Sequence, residues 1–300
     1  MILPVFAISA RQQYLHSTAE LIGLALGIYG LGQAILQIPF GMLSDKIGRK
    51  PVIFFGLCLF AIGSLVAALS PSIIGVIIGR LLQGTGAIGS TCTAFVADTT
   101  HDENRSKAMG MIGMTIATSF FLAMIFGPLF AGWIGVTGIF YLTAIFAVCG
   151  MLLTLMIPTP KKVLFHSDSQ VNVSFLNSIL KNKELLRLDL GIFISHAILT
   201  ATFVSLPLVL LHYTHLAVTS QWMVYLPALV VAYVAIFPMI IISEVKRCLK
   251  QVVLIAVLVL ALSQIGLWLY HSTTVGIAIC LFFFFTVCHS FNEHTHTDNS

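Results

Sequence analysis

The sequence predicts an all-α polytopic membrane protein, and three observations carry that prediction. Hydrophobic residues make up 58% of the 300 residues and charged residues only 9%, against about 25% charged in a soluble domain. Too few charges remain to cover a water-facing surface, so the apolar excess must face lipid. Apolar runs close to the roughly 20 residues needed to span a bilayer recur along the chain. Finally, the lysines and arginines gather in alternate connections between those runs. Period-2 alternation is absent and the runs are too long for barrel strands.

In order, the runs are Leu21–Leu43, Pro51–Leu69, Ile73–Ala97, Ala108–Trp133, Gly138–Ile157, Leu188–Leu211, Gln221–Ile242 and Val252–Tyr270. Val275–Val287 is short for a span, and Met1–Ala10 is half of one. Counting these two, nine to ten helices are expected. Lys46, Arg49 and Lys50 follow the first full run, and Arg105 and Lys107 the third. Lys161, Lys162, Lys181, Lys183 and Arg187 follow the fifth, and Lys246, Arg247 and Lys250 the seventh. The connections near Ser70–Ser72, Gly135–Thr137, His212–Ser220 and His271–Thr274 hold none. The positive-inside rule puts the basic set in the cytoplasm. The first full run then descends from outside to inside, so an ascending segment must precede it. Met1–Ala10 is expected to be its end.

This divides the chain into a first bundle at 1–157, a polar cytoplasmic linker at 158–187, a second bundle at 188–287 and a polar tail at 288–300. Met1–Ala10 has no basic residue and is not expected to be a signal peptide. Cys58, Cys92, Cys149, Cys248, Cys280 and Cys288 lack CxxC spacing and read as small buried hydrophobes. His289, His294 and His296 near Cys288 lack ligand spacing, so no metal site is expected. HExxH, GxSxG and P-loop patterns are absent, and an enzyme is not expected.

Four features interrupt the apolar text. The loop after the first full run reads Gly41-Met-Leu-Ser-Asp45-Lys46-Ile-Gly48-Arg49-Lys50. Its charges must pair with one another or with helix ends, and Gly41 and Gly48 permit tight turning and close helix approach. Arg80 lies about two turns inside a run of roughly 37 Å at 1.5 Å per residue. There it must face protein or a wet cavity, or else snorkel to the outer interface. Tyr29, Gln33 and Gln37 repeat every four residues and share one face. That face either lines a path through the molecule or makes interhelical hydrogen bonds. Gly127-Pro128 lies deep in a span, as a flexing point or a packing kink.

Taken together, these segments resemble the major facilitator superfamily. GxxxD(R/K)xGR(R/K) at Gly41–Lys50 is similar to its loop 2–3 signature. Arg80-Leu-Leu-Gln83-Gly84 is similar to its fourth-helix RxxQG motif. Phe126-Gly127-Pro128-Leu-Phe-Ala131-Gly132 is similar to the end of the fifth-helix antiporter motif, with Ala123 and Ala131 where glycines are usual. Ile2-Leu3-Pro4-Val5 resembles the end of the first-helix motif of drug/proton antiporters, and the text as a whole resembles the YajR-like branch. The resemblance implies the major facilitator fold, two six-helix bundles rocking around a midplane cavity, incomplete here. By that measure the chain starts within helix 1 and stops within helix 10.

The resemblance further implies proton-coupled efflux of a small molecule across a bacterial inner membrane. A proton gradient would be the energy source, with no cofactor. Lipid and a small-molecule substrate would be the partners, with no nucleic acid and no obligate protein partner. Gly41, Asp45, Gly48, Arg49, Lys50 and Asp98 would gate the cytoplasmic side, with Asp98 pairing with Arg49. Arg80, Gln83 and Gly84, with the Tyr29–Gln33–Gln37 face, would serve proton coupling and the cavity. The alternative is an inactive remnant of such a transporter. Phe282–Phe285 can be encoded by a thymine run, and a frameshift near Phe285 is expected to have produced the tail.

Overall fold

A computed structural model describes Val5, Phe6 and Ala10, then residues 18–86, 88–157, 183–217, 220–228, 230–231 and 249–284. Among these residues the regular structure is helical and there is no strand. The elements are α1 (Ala19–Ile47), α2 (Arg49–Leu69), α3 (Ile73–Thr85), α4 (Gly89–Thr99), α5 (Asp102–Met156), α6 (Lys183–Tyr213), α7 (Leu249–Leu269) and α8 (Thr274–Phe284). A further helical stretch covers 222–228. Most of the 158–187 linker, the second part of the Gln221–Ile242 run and the tail lie outside the described residues.

Five stretches among the described residues are long and apolar enough to cross a bilayer: Glu20–Ile47, Arg49–Leu69, Ile73–Thr99, Lys107–Met156 and His196–Tyr213. Lys107–Met156, at 50 residues, is long enough for two crossings. The outer surface fits lipid: Leu69, Met111, Trp133 and Trp268 are largely exposed, as apolar side chains are where hydrocarbon replaces water.

Local chemistry explains the starts and breaks. The Thr18 and Ser72 side chains cap α1 and α3 by accepting from Leu21 N and Gly75 N. Gly48 separates α1 from α2 at φ 97°, ψ 153°. That backbone region is nearly closed to side-chain-bearing residues. Gly135, at φ 67°, ψ 178°, makes the corresponding break within α5.

Two expectations need correction. The run Ile73–Ala97 is not one unbroken helix: α3 ends at Thr85 and α4 begins at Gly89. Gly86 turns its N–H onto the Leu82 and Gln83 carbonyls, and any Cβ there would meet the Gly56 backbone at 2.5 Å. Close packing against α2 thus coincides with the break. Second, α6 begins at Lys183, so the end of the 158–187 linker is helical. Pro128 lies inside α5, whose non-helical dihedrals fall at Gly135.

Packing relies on small residues, as expected where lipid removes the hydrophobic drive between helices. A Cβ on Gly63 of α2 would lie 2.5 Å from Gln83 N, and one on Gly79 of α3 would lie 2.6 Å from Ala67 N. The two backbones are therefore in direct contact. One apolar core joins Phe6, Leu26, Ala67, Val76 and Phe140. A second joins Met124, Phe203, Leu210, Tyr225 and Phe284. Both cores draw on α5, and Phe130 and Ala131, before Gly135, pack against the first. Val136, Ile139 and Phe140 belong to the first, while Met124 belongs to the second and Phe120 meets Phe203 edge-on at 5.6 Å. The early part of α5 therefore ties the first half of the chain to the second.

Candidate functional site

Two polar clusters lie in the first half, one at the α1–α2 connection and one in the interior. The sharp turn at Gly48 sets Arg49 at the first position of α2, facing the last turns of α1 and α4. Arg49 Nε donates to Asp98 Oδ2 at 2.9 Å. Its Nη1 pairs with Asp45 Oδ1 and donates to Ser44 Oγ at 2.6 Å. Ser44, almost fully buried, donates in turn to the Gly41 carbonyl at 2.6 Å. One guanidinium therefore fastens the start of α2 to the ends of α1 and α4. Charge-assisted bonds of this kind are the stronger class of hydrogen bond. Lys50 donates from Nζ to the Ile157 carbonyl just past α5, so the end of that helix lies at the same face.

Gly41 corrects an expectation. A Cβ there would meet only Ser90 Oγ, at 3.9 Å, which is ordinary contact. Its role in this structure is the carbonyl offered to Ser44. The serine at 44 was missed by sequence reasoning, because a hydroxyl beside a charged motif gives no signal of its own.

The interior cluster centres on Arg80, about 10 Å from the start of α3 by helix rise and only 8% exposed. Its Nε donates to the Ala25 carbonyl of α1 at 3.3 Å. Its Nη1 donates to Gln83 Oε1 at 3.0 Å. Its guanidinium carbon lies 4.5 Å from the centroid of the Tyr29 ring, a cation–π arrangement. The side chain is turned into protein and does not snorkel. Nη2 makes no hydrogen bond among the described residues.

Gly84 explains how Tyr29 reaches its place. Any Cβ on Gly84 would overlap the Tyr29 backbone carbonyl, so α1 and α3 touch there. Gln83 is fully buried and donates from Nε2 to Ser64 Oγ of α2 at 2.7 Å. Thr143 Oγ1 of α5 lies 3.3 Å from the same hydroxyl. A polar line thus runs from Tyr29 through Arg80, Gln83 and Ser64 to Thr143, across four helices. Tyr29, Gln33 and Gln37 are each half-buried on one face of α1. The Gln33 and Gln37 side chains make no hydrogen bond among the described residues, although the Gln37 carbonyl accepts from Ser90 Oγ at 3.2 Å. Gly127 and Pro128 are buried and join neither cluster.

In the second half, a cavity of about 520 Å³ opens between α6, α7 and α8, lined by Thr202, Ser205, Tyr213, Gln264, Trp268 and His271 among others. Gln264 Nε2 donates to Thr202 Oγ1 at 3.3 Å within it. Among the described residues, no cluster of three or more His, Cys, Asp or Glu could hold a metal ion.

A bundle of apolar helices, with a charged lock at one end and a buried arginine within, has the form of a secondary transporter. The chain belongs to the major facilitator superfamily, whose family model, described as Major Facilitator Superfamily, matches residues 1–295. It is an integral membrane protein of a transporter family, not an enzyme. The chain is 41% identical over 270 residues to the inner membrane transport protein YajR of Escherichia coli (strain K12), covering 89% of this chain and 59% of that one. It is 31% identical over 179 residues to the tetracycline resistance protein, class B, of Escherichia coli, covering 58% of this chain and 44% of that one. Among solved structures, the partially occluded inward open conformation of the xylose transporter XylE from E. coli aligns with a TM-score of 0.73, over 96% of this chain and 77% of that one, at 14% identity. That likeness shows the fold. The chain spans less than two thirds of the length of the curated relatives first matched.

Proposed function

We propose that the chain is a proton-coupled exporter of a small molecule, working by alternating access in a bacterial inner membrane. The observation that carries this reading is Arg80: a cation inside a membrane bundle, held by Ala25, Gln83 and Tyr29. Charge at such depth is expensive and marks ion or substrate pathways by default. At that cation a passing substrate or a shifting proton would alter the local charge balance. The half-buried face of Tyr29, Gln33 and Gln37 continues from it along α1 as the proposed path.

The Arg49–Asp98–Asp45 cluster is the proposed cytoplasmic gate. Opening that side requires α2 to part from α4, so the ion pair favours the state closed to the cytoplasm. Lys50, Gly41 and Gly48 hold the loop around it, and Gly127-Pro128 is the proposed bend. The energy source is the proton gradient, without a cofactor. The proposed partners are the bilayer and the substrate, with no nucleic acid and no obligate protein partner.

Export in particular draws on the tetracycline resistance relative, and the inner membrane on the YajR relative. The second reading is an inactive remnant of such a carrier. Reconstituted vesicles separate the two. Proton-driven movement of tetracycline, or of another member of a small-molecule panel, by the 300-residue chain supports the exporter. No movement by this chain, alongside movement by a longer relative in the same vesicles, supports the inactive reading.

A further inference from the structure

We propose that Ser64, backed by Thr143, is the positioning residue that fixes the Gln83 carboxamide and so holds the Arg80 guanidinium over Tyr29. The claim gains its transport meaning from the reading above, but its geometry stands apart from it.

Proton bookkeeping makes the case. The Ser64 hydroxyl has one proton, and its short bond to the Phe60 carbonyl, 2.8 Å, takes it. Only lone pairs then face Gln83, so the side of the carboxamide presented to Ser64 must be the donor. Gln83 Nε2 lies 2.7 Å from Ser64 Oγ. That leaves Oε1 for Arg80, which has donors only, at 3.0 Å. With the amide reversed, the NH₂ would face the guanidinium donors and the oxygen would face lone pairs, both repulsive.

Thr143 Oγ1 has two acceptors within reach, the Phe140 carbonyl at 2.8 Å and Ser64 Oγ at 3.3 Å. Its single proton serves one at a time. When it turns to Ser64, it strengthens the commitment of the Ser64 proton to Phe60. Both Ser64 and Gln83 are fully buried, so water does not stand in for a lost partner. The backbone contact of α2 with α3 at Gly63 and Gly79 keeps the two side chains in register. Arg80 is therefore aimed from α2 and α5 as well as from its own helix.

The test reads the arginine side chain directly. The full 300-residue chain, with ¹⁵N-labelled arginine, is placed in nanodiscs, and the Arg80 Nε–H signal is assigned by its loss in Arg80→Lys. Hydrogen exchange of that N–H is then compared among variants. Ser64→Ala is expected to speed exchange roughly tenfold and shift the signal, as for loss of one buried hydrogen bond that closes a local opening. Thr143→Val is expected to speed it less, and Ser64→Thr, which keeps the hydroxyl, to restore slow exchange. Wild-type exchange and shift in Ser64→Ala overturn the proposal. If Ser64→Ala fails to fold, wild-type exchange in Thr143→Val overturns the part assigned to Thr143, and fast exchange in a folded Ser64→Thr overturns the part assigned to the hydroxyl. Transport is measured on the same variants reconstituted in sealed vesicles. A silent wild type with a protected Arg80 refutes the exporter reading and leaves the positioning role standing.

Discussion

Arg80 shows how much a single residue can reveal and where sequence stops. Its depth in an apolar run was legible, because a charge there must be satisfied. The partners that satisfy it were legible only in part. Gln83 and Tyr29 stand out as polar residues in apolar text. Ser64 and the Ala25 carbonyl do not: a lone serine in a membrane helix usually bonds back to its own backbone, and a carbonyl carries no side-chain signal. Two substitutions test this scale. Gly48→Ala forces a side chain into a backbone region near φ 97°, which is expected to lower stability by roughly 1–3 kcal/mol. Thermal unfolding in detergent checks it, and an unchanged midpoint would mean that the turn relaxes freely. Arg80→Ala is expected to lower any proton-driven transport at least about tenfold, the effect of some 1.4 kcal/mol on a rate. Initial rates in vesicles, at matched protein content, provide the comparison.

At the scale of elements, the ends of α2 followed the hydropathy closely. The span read as Pro51–Leu69 became a helix over Arg49–Leu69, because charge and glycine bound it on one side and the Ser-Pro-Ser turn on the other. The break between α3 and α4 was hidden, since an average over 25 apolar residues does not register one tight contact at Gly86. The break within α5 was legible: it falls at Gly135, inside the connection read between Ala108–Trp133 and Gly138–Ile157. Helix contacts also make predictions. Gly84→Val must push α3 away from the Tyr29 backbone, and overpacking of this kind is expected to cost roughly 1–3 kcal/mol. It should also loosen the hold of Tyr29 on Arg80, visible as reduced protection of the Arg80 side chain. A double-mutant cycle on Arg49→Ala and Asp98→Ala is expected to give a coupling of roughly 0.5–3 kcal/mol between α2 and α4. High salt should weaken it, because both groups are partly exposed. Strict additivity of the two substitutions would remove the lock from the account.

For the molecule as a whole, charge placement and structure agree on one end. Asp45, Arg49, Lys50, Asp98 and the Ile157 carbonyl come together, while the Ser70–Ser72 turn belongs to the opposite end of α2. The positive-inside expectation puts Lys107 inside the cell and Ser72 outside. A cysteine introduced as Ser72→Cys should react with an impermeant maleimide on intact cells. One introduced as Lys107→Cys should react only after permeabilisation. The opposite labelling would invert the topology and take the gate to the wrong side. What sequence could not supply at this scale was the pairing of the halves. Phe120 and Met124 meet Phe203 through apolar contact alone, and apolar residues are too numerous here for any one pair to be singled out.

The central claim is that a buried arginine in this fold couples proton movement to export. Everted membrane vesicles carrying the 300-residue chain test it directly, with a preformed proton gradient followed by a pH-sensitive dye. Adding tetracycline or a further compound from a panel should partly collapse the gradient with the wild-type chain. The same addition should leave the gradient intact with Arg80→Ala, provided the Ser72→Cys labelling shows unchanged insertion. An Arg80→Ala response equal to wild type, or no wild-type response to any compound, would contradict the claim.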